Sequence, residues 1–219
     1  MLNELDRDLE RRGHSFVRYA DDMVIFCGSK ASAEQTLEHI VPFIEKKLYL
    51  KVNREKTVVA YAGKIKFLGY GFYKGRKGFA LRVHDKSKVK MKARVRELTS
   101  RRTVNDYEKW KVDLKRYVVG WVNYYKLVDM GAYIQSIDEW MRRRIRMVFW
   151  KKWKRVRTRW RNLMKLGTFN RNAGILANSR KGCWRIASSP ILQTALSNKR
   201  LEKAEFQFFY SYYRKSVAA

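Results

Sequence analysis

Two adjacent carboxylates, Asp21 and Asp22, stand between the β-rich runs Phe16-Val17-Arg18-Tyr19 and Met23-Val24-Ile25-Phe26-Cys27. That spacing predicts two antiparallel strands joined by a tight turn at Ala20-Asp21-Asp22, with both carboxylates at the tip. Hard oxygen donors on a rigid hairpin suit magnesium. In phosphoryl transfer, carboxylates clamp two metal ions about 4 Å apart, which activate the attacking hydroxyl and stabilise the leaving oxygen. An Asp-Asp pair is also a common turn former that needs no metal, so the surrounding sequence must decide between the two.

The elements around the hairpin predict an α+β fold in two parts. Leu2, Leu5 and Leu9 recur at spacings of three and four, marking a short amphipathic helix over 2–12 that ends at Gly13. Ser29 or Ser32 caps a second helix with Leu37, Ile40, Val41, Ile44 and Leu48 on its apolar face, kinked or split at Pro42. Short strands follow at 58–61, 65–73 and 79–83, with Gly-Arg-Lys-Gly at 75–78 as a turn.

From Asp85 onward, helices dominate. One is predicted over 86–100. A second carries Tyr107, Trp110, Leu114, Tyr117, Trp121, Tyr124 and Val128 at alternating +3 and +4 spacing, the seam of a packed helix. Gly120 within it costs about 1 kcal/mol relative to alanine, which predicts a close helix crossing there. A third helix starts after Gly131 with Ile134, Ile137, Met141, Ile145 and Val148 inward. Residues 167–190 read as looser, and 191–201 as a last helix. The predicted modules are 1–84 and 85–219.

Charge divides the chain more sharply than any spacer. Residues 1–62 carry 10 basic and 10 acidic residues, so the formal net charge of +30 lies entirely after residue 62. Such asymmetry predicts one nearly neutral module and one built against a polyanion, by default nucleic acid. Tryptophans and tyrosines interleave with the charges, unlike the smooth apolar face of a membrane-surface helix. No run approaches the 18 or so apolar residues of a membrane span, and the N-terminus is no signal peptide, so the expectation is a soluble intracellular protein without a membrane partner. Cys27 and Cys183 lack metal-site spacing and are expected to be buried thiols.

Three blocks occur in order: Phe16 to Phe26 around Tyr19-Ala20-Asp21-Asp22, then Leu50-Lys51-Val52-Asn53-Arg54-Glu55-Lys56-Thr57, then Lys66-Phe67-Leu68-Gly69-Tyr70. This series resembles the later palm motifs of reverse transcriptases, most closely those encoded by bacterial group II introns. Further on, Gly120-Trp121-Val122-Asn123-Tyr124-Tyr125, the stretch Ile137 to Arg146 and Trp150-Lys151-Lys152-Trp153-Lys154 resemble the maturase-specific thumb, or domain X. The resemblance covers essentially the whole chain.

It implies a partial right-hand polymerase palm over 1–84 followed by a helical thumb over 85–219. The protein would assist splicing of its host intron RNA and copy an RNA template from a DNA primer, as a ribonucleoprotein in the bacterial cytoplasm. Asp21 and Asp22 match the family's metal-binding aspartates, with Tyr19 and Ala20 beside the primer end. Lys56 matches a motif whose lysine protonates the leaving pyrophosphate; Phe67, Leu68 and Gly69 match the primer-grip turn. For Lys56 and that turn, a surface lysine and a strand-packing turn stand as equal alternatives.

Family members place fingers and another metal-binding aspartate ahead of the Leu-Asn-Glu-Leu-Asp segment near the start of this sequence. Asp6 and Asp8 sit in an amphipathic helix and do not replace that carboxylate. The expectation is a C-terminal piece that holds Mg2+ only if the third carboxylate is supplied, for instance by a separate N-terminal fragment, and that does not polymerise alone. No Cys/His cluster is found after the thumb motifs, and the expectation is that any DNA cleavage relies on the intron RNA or other proteins. Two rival expectations are a stand-alone RNA-binding splicing cofactor with a vestigial palm, and a non-functional truncated gene product.

For RNA contact, 11 of the 20 residues from Arg142 to Arg161 are basic: Arg142, Arg143, Arg144, Arg146, Lys151, Lys152, Lys154, Arg155, Arg157, Arg159 and Arg161. Eight phosphate contacts would give a salt slope of about −6 to −7. Tyr107, Trp110, Trp121 and Tyr124 are read as packing residues; Trp150, Trp153 and Trp160 are left open between packing and base stacking.

Overall fold

The computed structural model describes residues 2–75, 78–100, 104 and 106–218. The fold is α+β and divides into two compact units, residues 1–84 and 85–219.

In the first unit, helix α1 (Leu2–Arg11) leads into strands β1 (Ser15–Tyr19) and β2 (Asp22–Phe26), which pair antiparallel from Ser15 opposite Phe26 to Tyr19 opposite Asp22. Strand alternation sends Phe16, Met23 and Ile25 onto the buried cluster of Leu5, Leu9 and Leu48, while Val17, Tyr19 and Phe26 stay exposed on the opposite face. Helix α2 (Lys30–Pro42) begins where the Ser29 hydroxyl accepts the Ser32 N–H at 3.1 Å. At Pro42 it passes into a π-helical turn, Phe43–Lys47, so the proline marks a change of winding within a continuous helix.

A second sheet orders β3 (Lys66–Phe67), β4 (Tyr70–Gly75) and β5 (Gly78–Val83), all antiparallel. The strand expected at 58–61 is absent: Val58 and Tyr61 are exposed and no described strand pairs with them. β-rich composition reflects fit to a pleated, half-buried surface, and without a partner the segment stays irregular. Of the turn expected at 75–78, Gly75 and Gly78 pair across β4 and β5, while Arg76 and Lys77 lie outside the described residues.

The second unit is helical, with α3 (Asp85–Leu98), α4 (Tyr107–Tyr125), α5 (Gly131–Lys152), α6 (Val156–Lys165), α7 (Asn170–Ala177), α8 (Cys183–Ile186), α9 (Pro190–Ala195), α10 (Asn198–Lys203) and α11 (Phe209–Ala218). Asp106 caps α4, its carboxylate accepting the Glu108 N–H at 2.8 Å. Ile134, Ile137, Met141, Ile145 and Val148 of α5 are all buried, as their spacing predicts. The region 167–190 is more ordered than expected, because α6 and α7 pack as a helical hairpin that buries Leu163, Ala173 and Leu176 against Trp150. The helix expected over 191–201 is two short helices, each started by a serine cap, Ser189 and Ser197.

The seam of α4 is shifted from the expected one. Trp110, Leu114, Val118, Trp121, Val122 and Tyr125 are buried, whereas Tyr124 is exposed and Tyr107, though partly exposed, stacks its ring on Phe149 of α5 with centres 5.5 Å apart. Helix α11, which the sequence reading did not anticipate, packs on α4 and α5. It is held there by the Tyr212 hydroxyl donating to Asn123 Oδ1 (3.2 Å) and the Tyr213 hydroxyl donating to the Val128 carbonyl (3.1 Å). A Cβ at Gly120 would meet nothing within 4 Å, so the expected close helix crossing is not found among the described residues.

Candidate nucleic-acid interface and acidic hairpin

Tyr19 opposite Asp22 is the last pair of the hairpin, leaving Ala20 and Asp21 as a two-residue loop. Ala20 has φ +51°, in the left-handed region that a side chain disfavours by about 1 kcal/mol or more. Both aspartates are exposed. Arg18 fixes the loop from beneath: its Nη1 donates to the Ala20 carbonyl at 3.1 Å, and its Nε donates to Asp6 on α1 at 2.8 Å. The Arg18 guanidinium, by hydrogen bond and charge, holds the Asp6 carboxyl below the usual carboxylate range. Asp8 is similarly engaged by Arg11 (2.6 Å) and Arg12 (2.8 Å). Neither is a free donor for a cation beside Asp21 and Asp22.

Two exposed carboxylates on one turn fit magnesium chemically, since that ion keeps several waters and takes one or two carboxylates together with substrate phosphates. Among the described residues, no group of three or more His, Cys, Asp or Glu gathers into a metal site.

The other expected palm residues lie on separate turns. Lys56 is exposed on a turn organised by Asn53, whose carbonyl accepts the Thr57 N–H at 3.0 Å. Phe67 and Tyr70 close a two-residue loop in which Leu68 has φ +49° and Gly69 φ +82°. Two successive positive φ values are the signature of a tight primed hairpin turn, into which Leu68 is forced at a cost that glycine would not incur. The Gly69 carbonyl also accepts the His84 N–H at 3.1 Å.

The basic cluster separates into two populations. Arg146 is 7% exposed, its Nε donating to the Leu196 carbonyl at 2.9 Å and its Nη2 to Asn198 Oδ1 at 2.8 Å. This corrects its reading as a phosphate ligand: it ties α5 to the start of α10. Arg144 donates to Thr99 Oγ1 at 2.5 Å and to the Arg96 carbonyl at 3.2 Å. Arg143 donates to the Trp184 carbonyl at 2.9 Å and lies over that indole, 4.0 Å from its centre. Arg142 lies over Phe208 at 4.6 Å, and Arg159 donates to the Trp153 carbonyl at 2.9 Å. Lys154, Arg155, Arg157 and Arg161 are exposed, with Lys151 and Lys152 half-buried beside them.

The tryptophans sort accordingly. Trp150 is fully buried, Trp153 packs against the same core, and Trp160 is 38% exposed with its indole N–H donating to Asn170. The thiols are half-buried, Cys27 lying 3.7 Å from the Thr36 hydroxyl.

Asp138, within the stretch Ile137 to Arg146, is the most consequential buried polar group of the second unit. It is 1% exposed and accepts the backbone N–H groups of Phe209 (2.9 Å) and Tyr210 (2.8 Å) at the start of α11. Burial pushes its pKa up to about 6 against the pull of those two bonds and of Arg142. The sequence signal was an aspartate on the inward face of an otherwise apolar helical stripe.

Comparison with known families places both segments. Residues 1–72 match the reverse transcriptase (RNA-dependent DNA polymerase) family, and residues 88–167 match the maturase-specific domain of group II introns. No curated protein matches the chain closely enough to count as a relative. Carried in this order, the two segments support a group II intron-encoded reverse transcriptase/maturase fragment. No helix among the described residues is long and apolar enough to cross a membrane.

Proposed function

We propose that the first unit is the later part of a right-hand polymerase palm and the second a maturase thumb, and that the chain binds group II intron RNA to assist its splicing. The observation that carries this reading is the division of labour within the basic cluster. Its arginines from 142 to 146 brace helices, which leaves Lys151, Lys152, Lys154, Arg155, Arg157 and Arg161 as a solvent-facing cationic run where α5 gives way to α6. Phosphates are the partner that such a run neutralises.

Asp21 and Asp22 would hold Mg2+ once a third carboxylate joins them, and the metal would then activate a primer hydroxyl toward a nucleotide. The hairpin presents the two carboxylates, and Arg18 holds the loop in its left-handed turn. Tyr19 sits opposite Asp22 on the exposed face, beside the position proposed for the primer end. Lys56 and the Phe67-Leu68-Gly69 turn are proposed to serve the leaving group and the primer strand, on separate turns of the same unit. RNA template and DNA primer are the proposed partners of that chemistry.

The test is filter binding of the full chain to a group II intron RNA across a salt series. With six phosphates engaged by the solvent-facing run, the logarithmic slope should be about −4 to −5, shallower than the whole cluster would give. A slope near zero would remove the electrostatic basis of the reading.

A further inference from the structure

Helices α3 and α4 enclose an open groove of about 620 Å³, with Arg94 on one wall and Asp113, Arg116, Tyr117 and Tyr124 on the other. Gly120 lies on the α4 side, exposed in the middle of a 19-residue helix. Glycine weakens a helix interior relative to alanine, and a Cβ here would touch nothing within 4 Å. Among the described residues, nothing therefore requires the side chain to be missing. A surface that must approach the helix backbone from outside would require it.

The lining narrows what that surface is. Arg94 and Arg116 put a cation on each wall, matched to a polyanion. Their intramolecular partners are weak competitors: Arg94 pairs with Glu97 at 2.7 Å and Arg116 with Asp113 at 3.8 Å, both in solvent-exposed ion pairs. Asp113 accepts hydrogen bonds and donates none, so it repels a phosphate but suits a hydroxyl. Burial raises the Tyr117 phenol to about 12, which keeps its proton available for donation. A chain that brings phosphates to the rims and hydroxyls to the floor is a ribose-phosphate backbone, and the 2′-hydroxyl is what distinguishes it from DNA.

We propose that this groove seats the ribose edge of an RNA strand, with the backbone at Gly120 as its floor, Asp113 accepting from a 2′-hydroxyl, and Arg94 and Arg116 on the flanking phosphates. The proposal rests on the intron-RNA reading above and adds a place where RNA is told from DNA.

The test uses the full chain with a fluorescein-labelled RNA hairpin and a DNA hairpin of the same sequence. Gly120→Ala should raise the melting temperature of the second unit by about 2–4 °C, because the helix gains a better former. It should at the same time weaken RNA-hairpin binding roughly tenfold and leave DNA binding unchanged. Asp113→Ala should bring the two affinities together. A Gly120→Ala protein that melts higher and binds RNA as before overturns the proposal, as does an RNA preference that survives Asp113→Ala. If the unaltered chain binds neither hairpin at low salt, the intron-RNA reading falls and the proposal falls with it.

Discussion

The Asp138 carboxylate on α5 accepts the Phe209 N–H at 2.9 Å across 71 residues of sequence, so a buried side chain in the middle of one helix caps the start of another. Two free N–H groups at the beginning of α11 are satisfied by one residue, since Tyr210 donates to the second carboxylate oxygen. Asp138→Ala should therefore destabilise the second unit by about 2 kcal/mol, combining a lost cap with two orphaned buried donors. All seven tryptophans lie after residue 84, so tryptophan fluorescence during urea unfolding reports that unit alone. Unchanged unfolding would mean that α11 finds another anchor.

The same carboxylate sets a pH dependence whose sign is unusual for an aspartate. Its pKa is about 6 in the folded chain against 3.8 for an ordinary aspartate, so between those values the folded state binds more protons than the unfolded one. Stability should fall as pH rises from about 4 to about 6, by about 3 kcal/mol, and then level off. Arg142 and Glu202 face the group with opposite effects, Arg142 lowering its pKa and Glu202 raising it. Asp138→Asn should flatten the dependence in unfolding curves taken at successive pH values. A wild-type stability that rises over the same interval would show that the two N–H donors outweigh burial.

The basic cluster makes an opposed pair of predictions. Arg146→Ala should cost about 2–3 kcal/mol, because it leaves the buried Leu196 carbonyl without its donor, yet the salt slope for RNA should stay as it was. Arg157→Ala and Arg161→Ala should leave melting unchanged and each lower the slope by about 0.7–0.9. Loss of slope in the Arg146 variant would return that residue to the RNA surface.

Why the sequence separated these roles poorly is visible in α5. Its apolar stripe was legible, because Ile134, Ile137, Met141, Ile145 and Val148 repeat at helical spacing. The acidic hairpin was legible too, because strand composition and turn chemistry agree there. Arginine spacing says nothing about what each guanidinium reaches, and the partners of Arg143 and Arg146 are carbonyls 41 and 50 residues away. Helix α11 depends on Asp138 and on tyrosine hydroxyls of the same remote kind. Tyr124 shows the converse limit: it matches the helical period, but the stripe that is buried is decided by where the neighbouring helices α3 and α11 pack.

Strain in the acidic turn can be measured directly. Ala20 holds φ +51°, which glycine adopts freely, so Ala20→Gly should stabilise the hairpin by up to about 1 kcal/mol after the entropy of the unfolded glycine is counted. Slower hydrogen exchange at the paired amides of β1 and β2 would register the gain. Faster exchange would mean that the alanine methyl group packs usefully at the tip.

The aspartates themselves give the sharpest outcome for polymerase chemistry. Asp21 and Asp22 are exposed, Asp6 is committed to Arg18 and Asp8 to Arg11 and Arg12, so among the described residues no third carboxylate is available to share a second ion. Two metals near 4 Å apart need more ligand charge than two adjacent side chains supply. Primer extension on an RNA template with magnesium is therefore expected to be silent for this chain alone. Extension should appear when a polypeptide carrying the earlier palm carboxylate is added, and Asp21→Ala with Asp22→Ala should abolish it. Extension by the unsupplemented chain, lost in that double variant, would show that the two carboxylates and substrate phosphates are sufficient to hold the ions.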